Sequence, residues 1–121
     1  MLWVSRIESD HGTKEEPVPG QIISRYGHAG TYWTIWTSEM GYGANPVATL
    51  NSIPMDKSDT KPIHDISGKV VGFTYKWIYK GPFMSGGRLT FHDDSVQVPC
   101  RGTGRPKMEI AFQILPWEGA S

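Results

Sequence analysis

Nine residues near the middle of the chain, Val71-Gly-Phe-Thr-Tyr-Lys-Trp-Ile-Tyr79, constrain its fold most. Val71, Phe73, Tyr75, Trp77 and Tyr79 share one face at a period of two, with Gly72, Thr74 and Lys76 opposite. That is the pattern of a half-buried strand. Lys80-Gly-Pro-Phe-Met-Ser-Gly-Gly87 then reads as a Gly/Pro turn with Phe83 at its tip, and Arg88-Leu-Thr-Phe91 as the answering strand of a hairpin. The chain is a β-protein on this evidence.

The rest of the sequence agrees. Its 14 glycines and 9 prolines interrupt every stretch long enough to propose a helix. Short apolar runs appear instead at residues 2–7, 20–26, 31–37, 47–50, 95–98 and 108–115. In the third of these Trp33 and Ile35 face one way and Tyr32 and Trp36 the other; in the last, Met108, Ile110, Phe112 and Ile114 share a face. Residues 9–19 and 54–60 are charged and read as exposed loops, residues 41–46 as a glycine-rich loop with Tyr42 at its tip, and residues 100–107 as a basic loop. Seven to eight short strands in one 121-residue domain predict an antiparallel β-sandwich or jelly roll, with a small up-and-down β-barrel as the alternative.

Composition narrows the function classes. Twelve basic residues balance twelve acidic ones, so there is no basic excess of the kind nucleic acid attracts. No apolar run approaches the roughly 20 residues of a transmembrane helix. The start, Met-Leu-Trp-Val-Ser-Arg, lacks the form of a signal peptide, and the single cysteine, Cys100, forms no internal disulfide. The expectation is a soluble protein, cytoplasmic as synthesised and, if released, released without a signal peptide.

Catalytic and metal motifs are thin. Ser85 in Met84-Ser85-Gly86-Gly87 lacks the glycine two positions earlier that a nucleophile elbow needs, because Phe83 stands there. His11, His28, His64 and His92 have no paired ligand spacing, so no metal or cofactor is expected. His92-Asp93-Asp94 reads as a polar turn, and Cys100, beside Arg101, as a thiol without a role. His92, Asp93 and Cys100 are the candidates if the chain is an enzyme. Residues 102–107 offer backbone amides beside Arg101, Arg105 and Lys107, a composition that suits an anion.

The aromatic surplus is the stronger functional signal. Tyr32 and Trp36 lie opposite the core side of their strand, while Tyr42 and Phe83 lie in turns. Aromatic side chains so placed stack on sugars, sit at a lipid interface or fill a partner's pocket. The expectation is a non-enzymatic recognition module for a glycan, a lipid head group or a second protein, acting as monomer or homo-oligomer. Its ligand-binding candidates are Tyr32, Trp36, Tyr42, Trp77, Phe83 and Arg88. A structural subunit, for example of a phage particle, is the competing reading of the same aromatics.

Two families share fragments of the chain. Asp65-Ile66, Tyr75-x-Trp77 and Pro82-Phe83-Met84-x-Gly86-Gly87 resemble the small component of Pir-type binary insecticidal toxins. That resemblance implies a β-sandwich with a receptor-binding role beside a larger pore-forming partner. Trp3-x-Ser5-x-x-x-Ser9, Gly20 to Tyr26 with Ala29, and Gly72-Phe73-Thr74-x-x-Trp77 resemble strands of the avidin family. That resemblance implies a small-ligand barrel in which Ser5, Ser9 and Tyr26 hydrogen-bond the ligand and Trp77 lines its pocket.

Overall fold

The computed structural model describes residues 1–41, 45–94 and 107–118. These form eight strands and, among the described residues, no helix: β1 (Leu2–His11), β2 (Ile23–Met40), β3 (Val47–Leu50), β4 (Ile53–Pro54), β5 (Asp56–His64), β6 (Val70–Ser85), β7 (Gly87–Asp94) and β8 (Lys107–Pro116). The fold is all-β, as expected, and takes the form of a nearly closed barrel with a seam. Strand order is β4-β3-β7-β8-β2-β6-β5, and β1 pairs with β2. The terminal strands of that order, β4 and β5, do not pair. They follow one another directly in sequence through the buried Met55, so the chain itself bridges the seam.

The organising element is β2, at 18 residues. Its first part runs parallel to β8 through Ile23, Gly27 and His28. The remainder is paired on both edges, with β1 on one side and β6 on the other. Residues 20–26 and 31–37 are thus not two strands with a break between them: Gly27 and Gly30 lie within a single strand. The register sets Trp33 against Tyr79, Ile35 against Trp77 and Thr37 against Tyr75, all buried. Leu50, Leu89 and Phe112 close the core from the other half of the barrel, in one row across β3, β7 and β8. Each large side chain so buried contributes roughly 1.5–3 kcal/mol.

Two further expectations are corrected. Residues 54–60 are not a loop but belong mostly to β5, an edge strand exposed over nearly its whole length. Such a strand has no buried face and shows no alternation. Its Lys57, Lys61 and Pro62 are the residue types that discourage further pairing at an edge. The run from Val71 to Phe91 is not a hairpin either. β6 continues through Gly81 and Pro82 to Ser85, and β6 and β7 share no ladder among the described residues. The chain turns a corner at Gly86, leaving β6 beside β2 and placing β7 between β3 and β8. The predicted strand at residues 95–98 lies outside the described residues.

Candidate functional site

The Gly86 corner is where separate strand ends come together. Gly86 has φ 68°, donates its N–H to the His28 carbonyl at 2.7 Å, and has Pro116 against it so closely that a Cβ would sit 2.6 Å from the Pro116 nitrogen. On the β2 side, a Cβ at Gly27 would lie 2.2 Å from the Pro116 carbonyl oxygen. Only glycine permits such backbone contact. Ser85 fastens the end of β8: its hydroxyl donates to the Trp117 carbonyl at 3.3 Å, and the Trp117 N–H donates back to Ser85 Oγ at 3.2 Å.

The consequence is a surface cluster of three rings from three parts of the chain. His11, at the end of β1, stacks on Trp117 with centroids 4.4 Å apart and planes 16° from parallel. Phe83, near the end of β6, tilts toward the same imidazole at 6.4 Å and 58°. Phe83 is 57% exposed, Trp117 36%, and His11 is also exposed.

The other aromatic candidates are placed differently. Tyr32 is 39% exposed, but Lys80 Nζ lies 5.5 Å from its ring centroid. Its backbone is held by Asp10, whose Oδ2 accepts the Thr31 and Tyr32 N–H groups at 2.9 and 3.2 Å; the Thr31 amide above all keeps this carboxyl below the usual range. Trp36 is half-buried, with Arg6 at 5.4 Å and Lys76 at 5.6 Å from its ring. These rings already hold intramolecular cation–π partners. Trp77 is not a surface residue: it is 2% exposed and spends its indole N–H on Thr37 Oγ1 at 2.7 Å. Arg88 is exposed on the outer face of β7. Tyr42, Cys100, Arg101 and Arg105 lie outside the described residues, and Lys107 opens β8 opposite Asp94.

The avidin-like set does not converge. Ser5 takes a hydrogen bond from Ser38, the neighbour of Thr37 that points to the opposite face of β2 from Trp77. Tyr26 is exposed, and Ser9 lies beside His28. His92 and Asp93 form no catalytic pair, because neighbours on a strand point to opposite faces and Asp93 is the buried one.

Ser9, His28 and Glu15 do form a contiguous serine–histidine–acid group. His28 Nε2 lies 2.6 Å from Glu15 Oε2, and His28 Nδ1 lies 3.4 Å from Ser9 Oγ. The hydrogen-bond directions argue against a nucleophile. Ser9 has one hydroxyl proton and donates it to the His11 carbonyl at 2.5 Å, so none is left for the imidazole to abstract. Glu15 also accepts the Arg25 N–H at 2.8 Å and the Tyr26 N–H at 3.1 Å. With His28 and Glu15 both buried, the group acts as a clamp. It holds the segment after β1, which also pairs with Ile7 along the β1 edge, against β2.

At the far end of β2, Glu39 and Asp93 are both fully buried. Asp93 Oδ1 accepts the Asn45 N–H at 2.8 Å, but Asp93 Oδ2 and both Glu39 oxygens have no hydrogen-bond partner among the described residues. Two carboxylates cannot satisfy each other unless a proton lies between them. Burial, and then the neighbouring Asp93, push the Glu39 carboxyl up to about 7. Burial, and then Glu39, push the Tyr75 phenol up as well.

Fold and corner together define a small all-β barrel domain with an aromatic surface site. The chain belongs to the family described as Domain of unknown function (DUF4879), which it matches over residues 1–105. That span stops short of β8 and Trp117. No curated protein and no solved structure matches the chain. Among the described residues no helix is long and apolar enough to cross a membrane, and no three His, Cys, Asp or Glu side chains gather as metal ligands.

Proposed function

We propose that this protein is a non-enzymatic recognition domain that binds a glycan through the corner formed by His11, Phe83 and Trp117. One observation carries the reading: three exposed rings from separate strand ends are held in contact at a rigid backbone junction. Fixed aromatic surface favours stacking on the apolar face of a sugar, because little conformational entropy is lost on binding. The Ser85 hydroxyl and the exposed Asp10 carboxylate on neighbouring strand ends supply polar groups for sugar hydroxyls. Phe83 also belongs to the Pro82-to-Gly87 segment that resembles the small component of Pir-type toxins, a resemblance in keeping with a receptor-binding role beside a second protein.

The test is a glycan array read beside liposome flotation, with wild type, Phe83→Ala and Trp117→Ala. The expected result is sugar binding that falls at least tenfold in each variant while thermal stability stays within about 0.5 kcal/mol, as for other surface substitutions. Sugar binding that survives both substitutions would overturn the assignment. Capture by liposomes alone would replace the glycan with a lipid head group.

A further inference from the structure

The outer face of the β3–β7–β8 sheet carries a second feature, remote from ring stacking. Its outward rows are Thr49–Thr90–Ala111 and, one step nearer the corner, Asn51–Arg88–Gln113. A groove of about 510 Å³ is lined by Thr49, Asn51, Ser52, Arg88 and Thr90. A smaller one of about 140 Å³ adjoins it, lined by Ile22, Arg88, Ala111, Phe112 and Gln113. Arg88 is common to both and is the one charged residue lining either. Among the described residues its guanidinium forms no ion pair, hydrogen bond or ring contact, unlike Arg6, which pairs with Glu8 and Glu16.

The groups around it are donors with capacity to spare. The Thr49 and Thr90 hydroxyls bond to each other, which occupies one of their two protons and leaves the other free. Asn51 is fixed by accepting the Arg88 N–H at 2.9 Å, and its amide donates one hydrogen to Met84 Sδ at 3.1 Å. The Ser52 hydroxyl makes no hydrogen bond among the described residues. Asn51 and Ser52 form the β3–β4 turn with φ of 51° and 69°, a left-handed pair that favours asparagine first and glycine second. Serine in the glycine position is a strained choice, and strain of this kind clusters at ligand sites.

We propose that this groove binds a tetrahedral oxyanion, the phosphate or sulfate of a monoester. The Arg88 fork would grip two of its oxygens, with hydroxyls of the Thr49–Thr90 pair and Ser52 on the others. The site is separate from the His11–Phe83–Trp117 corner and does not depend on it.

An amide-resolved NMR titration with inorganic phosphate and inorganic sulfate, at constant ionic strength against chloride, tests it. Saturable shifts at Asn51, Ser52, Arg88 and Thr90 are expected, with affinity in the millimolar range. Arg88→Gln, at an exposed position that leaves the backbone ladder intact, should weaken it at least tenfold. Ser52→Gly should raise Tm by relieving the turn, yet weaken oxyanion binding several-fold. Phe83→Ala should leave these shifts unchanged, so failure here is distinguishable from failure of the aromatic site. Glucose 6-sulfate, glucose 6-phosphate and vesicles containing phosphatidic acid form the source arms. The arm that binds more tightly than the free ion, and only with Arg88 present, identifies where the oxyanion comes from. Shifts that fail to saturate, that chloride reproduces, or that persist in Arg88→Gln would overturn the proposal.

Discussion

Two carboxylates lie buried against the same strand, and the fold treats them in opposite ways. Glu15, in the segment between β1 and β2, receives two backbone N–H groups and an imidazole from the first part of β2. Glu39, near its end, receives no backbone N–H and no imidazole, and faces Asp93 and the Tyr75 phenol. Burial alone says little about a carboxylate's role; the donors around it decide. Glu15 accepts hydrogen bonds from groups that need an acceptor, and it fixes a segment of chain. Glu39 is disfavoured as an anion and gives up its proton only as the pH rises through about 7.

The sharpest way to break this contrast is at Glu15. Glu15→Ala leaves a buried imidazole and two amides without their acceptor, and should cost about 3–5 kcal/mol in urea denaturation. A loss below about 1 kcal/mol would show that the clamp does not hold the fold. Glu39 gives the next largest effect, with pH as the variable. Its pKa rises from 4.5 unfolded to about 7 folded. Its stabilising contribution is therefore complete below pH 4.5 and lost as the pH rises through about 7. The change amounts to at most roughly 3–4 kcal/mol. Melts between pH 5 and pH 8 should show wild type losing stability relative to Glu39→Gln; parallel curves would remove the shared proton from the account.

Asp93→Asn sharpens the same end of β2. It removes the like charge while keeping an oxygen for the Asn45 N–H, and its amide can donate to Glu39. Stability at pH 8 should rise by about 1 kcal/mol, read as a higher urea midpoint. The smallest effect belongs to Ser9→Ala, which removes only the 3.4 Å contact to His28 and a local bond to the His11 carbonyl. A change under about 1 kcal/mol is expected. A larger loss would mean that the serine, rather than Glu15, anchors the imidazole.

The β class and the inward row of β6 were legible because alternation is a local signal: Tyr75, Trp77 and Tyr79 are buried where the pattern puts them. The unity of β2 was not, since Gly27 and Gly30 look like breaks when the reason for them, close approach by the Pro116 backbone and the Asp10 side chain, lies elsewhere in the chain. The β5 strand was hidden because an edge exposed on both faces has no periodicity to read. At the candidate site, Phe83 could be singled out from its Gly/Pro surroundings. His11 and Trp117 could not, because their value comes from meeting each other across 106 positions of sequence. The clamp at Glu15 and the orphaned Glu39 were equally invisible, each set by partners distant in the chain.

The double membership of β2 carries a consequence for how the barrel comes apart. Its 18 residues supply rungs to β8, β1 and β6. Among the described residues its short ladder to β8, at Ile23, Gly27 and His28, is the one ladder that joins β4-β3-β7-β8 to β1, β6 and β5, so the barrel can part along that ladder and the seam with β2 whole. Its slowest-exchanging amides are those between Trp33 and Glu39, bonded into strands on both sides. Assembly is demanding for the same reason: β2 must find partners from both ends of the chain, so few of its rungs form before the whole order is in place.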